Sequence, residues 1–175
     1  MMLNTRLIVV SLGIATMLQF VPALSAQAPA APLPAQILTA KKVFISNAGG
    51  GFDKDLWSGN PSRTYNHFYG AMKAWGHYEL VGTPSAADLV FQIGITSSAR
   101  ILGQEVVPWF QVRLVLLDTK TGTVLWALDE FIPEKPGLGL MFKKNRDKEF
   151  DDGTDRIVGD LKALAAQPAH ADTAK

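Results

Sequence analysis

Two short stretches near the start of the 175-residue chain carry residue types that could bind a ligand. Residues 47–51, Asn-Ala-Gly-Gly-Gly, are rich in glycine, but a nucleotide-binding loop ends in Gly-Lys-Ser/Thr or runs straight into a helix. Asp53 and Asp55 have the spacing of calcium ligands, yet an EF-hand loop that begins at Asp53 requires glycine where this chain has Ser58. We therefore interpret this region as a flexible solvent loop.

A second group of ionisable residues lies near the C-terminus: Asp147, Glu149, Asp151, Asp152 and Asp155. Lys148 lies among them and Arg146 and Arg156 flank them, a pattern typical of a solvated helix face. The chain has three histidines and no cysteine, so a His-rich or thiolate metal site is not expected. It also lacks the Gly-x-Ser-x-Gly and His-Glu-x-x-His motifs. We predict that the protein is not an enzyme and uses no cofactor; a secreted or periplasmic hydrolase with an unrecognised active site is the alternative.

The candidate contact residues are four large apolar side chains in a short glycine-containing segment: Leu138, Leu140, Met141 and Phe142. Because glycines disfavour both helix and strand, we expect this segment to be a surface loop. Its apolar side chains then either fold back over the sheet edge or form an exposed patch. In the second case, with Lys143, Lys144 and Arg146 as a charged rim, the patch would dock on a protein or a membrane surface.

The element that organises the rest of the chain is a hairpin over residues 109–131. Its first strand alternates, which predicts one buried row of side chains: Phe110, Val112, Leu114 and Leu116. Residues 118–122, Asp-Thr-Lys-Thr-Gly, supply the turn. The returning strand is predicted to place Val124, Trp126 and Leu128 on one face and Leu125, Ala127 and Phe131 on the other. Trp126 is therefore expected to be a core residue.

Three further strands are predicted at residues 41–46, 78–81 and 89–96, with residues 97–108 as a connection. A helix that begins at Asn60-Pro61 and ends at Gly76 has an apolar stripe, with His67 off this stripe and therefore solvated. A second helix over residues 147–166 is weakened by Gly153 and Gly159. This order predicts an α/β (α+β) sandwich: one domain with a mixed sheet of about five strands and two main helices packed on one face.

The N-terminus has the features of a secretory signal over residues 1–26. Arg6 precedes an apolar run, Pro22 ends that run, and small residues lead to Ala26, after which we predict cleavage. An uncleaved membrane anchor is the alternative. The predicted organisation continues with an Ala/Pro-rich linker at 27–40, the folded domain at 41–166 and a disordered tail at 167–175. We expect a periplasmic or secreted protein.

Charge and cysteine content narrow the classes of partner. Cleavage removes one basic residue, Arg6, and leaves 16 basic and 16 acidic residues, so the mature chain is formally neutral. A neutral chain without a basic stripe is not expected to bind nucleic acid. Without cysteine the chain has neither disulfides nor the lipid-bearing cysteine of a bacterial lipoprotein. An envelope protein or a membrane surface is the expected partner, and the oligomeric state stays open.

Three short motifs carry a resemblance to a known group of proteins. These are residues 87–90 (Ala-Asp-Leu-Val), 117–122 (Leu-Asp-Thr-Lys-Thr-Gly) and 124–126 (Val-Leu-Trp). Over roughly residues 41–164 the chain resembles small bacterial envelope domains of unknown function, often lipoproteins. Their layout is similar to the amino-terminal domain of the translocation protein TolB and to curli-secretion-type lipoproteins. The resemblance implies a non-catalytic envelope domain for protein binding or assembly, and it brings no catalytic residues.

Overall fold

The computed structural model describes residues 32–50, 62–102, 104–133 and 141–167. The described residues belong to one compact unit that begins at Pro32. Its elements follow in the order α1 (Ala35–Thr39), β1 (Lys42–Gly49), α2 (Arg63–Trp75), β2 (Glu79–Leu80), β3 (Leu89–Leu102), β4 (Glu105–Asp118), β5 (Val124–Ile132) and α3 (Met141–Ala165), with a 3-10 turn at Pro84–Ala86 before β3. No helix in these ranges is long and apolar enough to cross a membrane.

The five strands form a mixed sheet in the order β2-β1-β3-β4-β5. β1 runs parallel to β2 and β3, whereas β3, β4 and β5 are antiparallel to their neighbours. α2 is the crossover between the parallel strands β1 and β2. The predicted fold class, a single α/β domain with a mixed five-stranded sheet, is confirmed.

One face of the sheet forms the core together with α2 and α3. The alternating side chains predicted to point inward from β4 are all buried: Phe110, Val112, Leu114 and Leu116. Leu89, Phe91 and Ile93 of β3 are buried beside them, under Phe68 and Met72 of α2 and Phe150, Ile157 and Leu161 of α3. α2 ends at Gly76, whose φ of 68° is the left-handed conformation that favours glycine. The alternation of apolar residues therefore predicted the core correctly.

The first two residues of β5 point to the opposite sides of the sheet from those predicted. A register irregularity between Leu116 and Leu117 of β4 adds one residue to β5 at its start. As a result Val124 is 57% exposed and Leu125 packs against the core, the reverse of the predicted arrangement. Trp126 and Leu128 do pack against the core, as predicted, but both are only partly buried.

The fold also includes part of the stretch that the sequence placed in a linker. α1 lies within the predicted 27–40 spacer, and Ile37 is 1% exposed in the hydrophobic core. Ala40 is buried as well, and Leu33 packs against the same core. Burial of these apolar side chains stabilises residues that their Ala/Pro-rich neighbourhood would otherwise leave extended. The predicted signal at 1–26 lies outside the described residues.

Candidate functional site

The structure divides the four predicted contact residues into two groups. Leu138 and Leu140 lie outside the described residues. Met141 and Phe142 belong to the first turn of α3, so the prediction that this segment is a loop is wrong for these two positions. In the structure α3 begins at Met141, two residues after Gly139 in the sequence.

The longest strands of the sheet project beyond their neighbours. β3 and β4 pair continuously from Leu89↔Asp118 to Leu102↔Glu105. On one side β1 stops at its pair with Gly94, and on the other β5 stops at its pair with Phe110. Residues 98–109 therefore form a two-stranded hairpin, five residue pairs long, that extends past the sheet by about 16 Å. We call this hairpin the arm. The expected connection at 97–108 is wrong.

A sequence signal for the arm existed and was missed. The two-residue connection Gly103-Gln104 separates Ile101-Leu102 from Val106-Val107, which is the pattern of a tight β-hairpin. The preceding residues, Ser-Ser-Ala-Arg at 97–100, have no apolar alternation, and they masked the continuation of β3. The arm is therefore recognisable from its tip but not from its base.

The arm carries the core-facing row of β3 out into solvent. In β3 the side chains of Phe91 and Ile93 are fully buried, and Ile101 occupies the same alternating row farther along the strand. Ile101 is nevertheless 74% exposed, the largest value among the exposed large apolar side chains of the described residues. Its cross-strand neighbour by register is Val106. The arm thus presents an exposed apolar side chain on the core-facing side of β3, at a place where α2 and α3 do not cover it.

The first turn of α3 lies at the same end of the sheet as the arm. The ring of Phe150 contacts the ring of Phe110 edge-on, with centroids 6.2 Å apart. Three residues later, Gly153 lies against Val112 and Ile132. α3 therefore runs in the direction of β4, and its N-terminal turn points toward the arm. We call the arm together with this first turn (residues 141–144) the arm end and treat it as the candidate functional site.

On the opposite face of the sheet, two aromatic rings stack at the base of the arm. Trp109 of β4 and Phe131 of β5 stack with centroids 3.7 Å apart and an interplanar angle of 25°. Such aromatic pairs contribute about 0.5–1.5 kcal/mol beyond the area that they bury. The stack therefore anchors the arm at the point where it leaves the sheet.

Three residues of the acidic cluster of α3, Asp147, Asp151 and Asp155, contact α2, whereas Asp152 pairs with Lys148 of its own helix, so the predicted solvated face is only part of the cluster. The guanidinium of Arg63 donates from Nε and Nη2 to the two carboxylate oxygens of Asp151, at 3.1 and 2.6 Å. This hydrogen bond is the main cause of the raised pKa of Arg63. His67 Nε2 lies 2.8 Å from Asp155 Oδ1, so this histidine is not simply solvated. These contacts join two helices of the domain, and no metal-binding cluster of acidic, histidine or cysteine residues is found in the described ranges.

Asp88, in the first of the three motifs, connects three parts of the sheet. Its Oδ2 accepts hydrogen bonds from the backbone N–H groups of Lys41 and Lys42, both at 2.8 Å. These two bonds are the main causes that lower the pKa of Asp88. The hydroxyl of Thr119 donates to the backbone carbonyl of Asp88 at 3.0 Å. Asp88 therefore ties the start of β1 and the β4–β5 turn to the start of β3.

Asp118, in the second motif, closes the β4–β5 turn. Its Oδ1 accepts from the backbone N–H groups of Lys120 and Thr121 at 2.7 and 2.9 Å, which lowers the pKa of Asp118. Gly122 donates to the carbonyl of Asp118 and has a φ of 68°, which favours glycine. The motif residues that carry the sequence resemblance thus have structural roles at the end of the sheet opposite the arm.

Comparisons with known proteins give likeness in structure only. No family model matches the chain, and no curated protein matches it. Among solved structures, a PelC dodecamer from Paraburkholderia phytofirmans is 13% identical and covers 69% of this chain and 86% of its own, with a TM-score of 0.42. A minor lipoprotein from Acinetobacter baumannii is 16% identical, covers 75% and 99%, and has a TM-score of 0.43. Uncharacterized lipoprotein B from Nitrosomonas europaea is 15% identical, covers 77% and 85%, and has a TM-score of 0.40. Small bacterial lipoproteins are thus among the structural neighbours, while the likeness to TolB and curli-type domains stays a prediction.

Proposed function

We propose that the protein is an exported, non-catalytic binding module of the bacterial envelope that contacts a protein partner through its arm end. The observation that carries this proposal is the arm, a two-stranded hairpin that leaves the sheet and ends near Ile101, which is 74% exposed. The signal-like N-terminus supports export. The alternating apolar residues and the hairpin turns account for the packed sheet, whereas the arm extends beyond this sheet and is not needed to form its core.

The energetics of an isolated hairpin favour a partner for the arm. A two-stranded hairpin is marginally stable in water without a third strand or a helix to cover one face. Burial of one large aliphatic side chain such as Ile101 contributes about 1.5–3 kcal/mol. A partner that covers the tip would therefore stabilise the arm and gain affinity from the same contact.

The backbone of the arm favours a protein over a lipid bilayer. Beyond Gly94 and Phe110 the arm has no neighbouring strand among the described residues, so no strand pairs with the N–H and C=O groups along its two edges. In hydrocarbon each such group costs several kcal/mol, whereas a protein strand can pair with it. Pro108 has no N–H to donate, so β3 offers the more complete edge.

Two pairs of ionisable side chains connect α2 and α3 in the described part of the chain. Arg63 and Asp151 form a two-point hydrogen-bonded pair, and His67 contacts Asp155. Each of these pairs links α2 to α3. The arrangement supports a structural role for these side chains, which fix the two helices against each other.

The proposal is tested with two matched variants at exposed apolar positions. Ile101→Ser changes the arm, and Tyr69→Ser changes α2, where the side chain is 39% exposed. Both variants should retain the far-UV circular dichroism spectrum and thermal midpoint of the wild type. Tagged wild-type protein and Tyr69→Ser should capture the same partner from native envelope extract, and Ile101→Ser should capture at most about a tenth as much, the loss expected for roughly 1.4 kcal/mol.

Two outcomes would contradict the proposal. Equal capture by Ile101→Ser and wild type would show that the arm does not contact the partner. Binding of the purified wild type to vesicles of envelope lipid, abolished by Ile101→Ser, would show that the arm binds a membrane instead.

A further inference from the structure

The two edges of the sheet differ greatly in length. β2, at one edge, has two residues, whereas β5, at the other, has nine. Exposed strand edges can pair with other chains, and proteins usually protect them with short strands, lysine or proline. β5 has the sequence Val-Leu-Trp-Ala-Leu-Asp-Glu-Phe-Ile and contains neither lysine nor proline. It is therefore an edge on which another strand could form.

One hydrogen bond shows which backbone groups of β5 face outward. Arg156 Nη2 donates to the carbonyl oxygen of Phe131 at 3.4 Å, so this carbonyl points away from β4. In an antiparallel ladder both backbone groups of a residue point the same way, and alternate residues point in opposite directions. The N–H and C=O groups of Ala127 and Asp129 therefore also face outward. Within the described part of the chain no hydrogen bond to these outward groups is present.

We infer that two copies of this chain pair antiparallel along β5, with the twofold axis at Leu128. Ala127 of each copy then exchanges two backbone hydrogen bonds with Asp129 of the second copy, which gives four such bonds in total. Phe131 lies outside this central pairing, so its carbonyl keeps the hydrogen bond from Arg156. The two five-stranded sheets become one continuous sheet of ten strands.

The sequence of β5 favours a second copy in this register over two registers that are shifted toward the C-terminal end of the strand. An axis at Asp129 would place two like charges directly opposite each other, which is destabilising. An axis at Glu130 would place Ala127 opposite Pro133, which has no N–H to donate. The axis at Leu128 instead places each acidic residue opposite an uncharged one: Asp129 opposite Ala127, and Glu130 opposite Trp126.

The charges and helices near the edge are compatible with this pairing. Asp129 is already paired with Arg113, at 3.5 Å, and Glu130 with Arg156, at 3.1 Å. α3 packs on β4 and β5, so in the paired sheet the two α3 helices lie on the same face, one on each side of the joined edges.

The test compares two substitutions at one position by sedimentation velocity over a series of concentrations. Ala127→Pro removes an outward N–H and leaves the ladder with β4 in place, whereas Ala127→Val retains this N–H and changes only the side chain. Wild type and Ala127→Val should form dimers with similar affinity, and Ala127→Pro should weaken the dimer by about tenfold or more, the effect of roughly 1.4 kcal/mol of lost hydrogen bonding.

Amide hydrogen exchange of the wild type keeps the inference testable if Ala127→Pro fails to fold. The amides of Ala127 and Asp129 should exchange more slowly as the protein concentration rises, while the amide of Leu128, which faces β4, should not change. A wild type that is monomeric at every concentration would overturn the inference. A dimer that Ala127→Pro does not weaken, or amides of Ala127 and Asp129 that are insensitive to concentration, would overturn it as well.

Discussion

The packing of α3 on the sheet can be tested with its two interior glycines. An added methyl group at Gly159 would meet no other atom within 4 Å. At Gly153 the same methyl group would collide with Cδ1 of Ile132 and touch Cγ2 of Val112 at 3.5 Å. Ile132 is itself 3% exposed, so its side chain has little space into which it can move. The same substitution should therefore have opposite effects at the two positions.

The magnitudes follow from helix propensity and from overpacking. Gly159→Ala should stabilise the protein by about 1 kcal/mol, the propensity difference between glycine and alanine within a helix. Gly153→Ala gains the same term but adds about 1–3 kcal/mol of overpacking, so its net effect should lie between zero and about 2 kcal/mol of destabilisation. In the double variant Gly153→Ala/Ile132→Val the colliding methyl group is absent. Its destabilisation should then be smaller than the sum of the single variants by about 1 kcal/mol.

Urea denaturation followed by tryptophan fluorescence measures these differences, and the thermal midpoint should move by about 2–4 °C for each kcal/mol. Gly159→Ala serves as the control for helix propensity. If Gly153→Ala stabilised the protein as much as Gly159→Ala does, α3 would not pack on Ile132, and the placement of its first turn beside the arm would be wrong.

Two further predictions concern the ends of β5 and β3. Trp126→Ala should destabilise the protein by about 2 kcal/mol in urea denaturation. This is less than the 3–5 kcal/mol typical of a fully buried tryptophan, because Trp126 is only partly buried. An unchanged urea midpoint would show that this face of β5 does not pack on the core. Hydrogen bonds from Lys41 and Lys42 lower the pKa of Asp88, so its contribution to stability is present above the ordinary aspartate pKa, about 3.9, and is lost as pH falls through the lowered value. Asp88→Asn should therefore lower the thermal midpoint at pH 7. Below about pH 4 the midpoint of this variant should fall less steeply with decreasing pH than that of the wild type, and an equally steep fall would contradict the role of this carboxylate.

The sequence predicted those parts of the fold that depend on alternation. The inward rows of β3 and β4 were predicted correctly because every second residue is large and apolar. The start of β5 was not, because a single bulge opposite Leu116 and Leu117 reverses the facing of Val124 and Leu125 without any change in their residue types.

The sequence did not reveal two sets of contacts between distant segments, nor did it reveal the arm. Arg63 and Asp151 are 88 residues apart, and the sequence around each of them, considered alone, is typical of a solvated helix face. α1 was placed in a linker because the burial of Ile37 depends on strands that follow it. The arm was missed because its base contains serines, although its tip has a hairpin pattern.

Site-specific photo-crosslinking in intact cells tests the central claim most directly, with a photoreactive residue in place of Ile101 on the arm or, as the control, in place of Tyr69 on α2. The protein should appear in the envelope fraction with a mature chain that begins near Gln27. Position 101 should give a discrete adduct with one protein, and position 69 should not. A full-length chain in the cytoplasm, or the same adducts from both positions, would contradict the account of an exported module that binds through its arm.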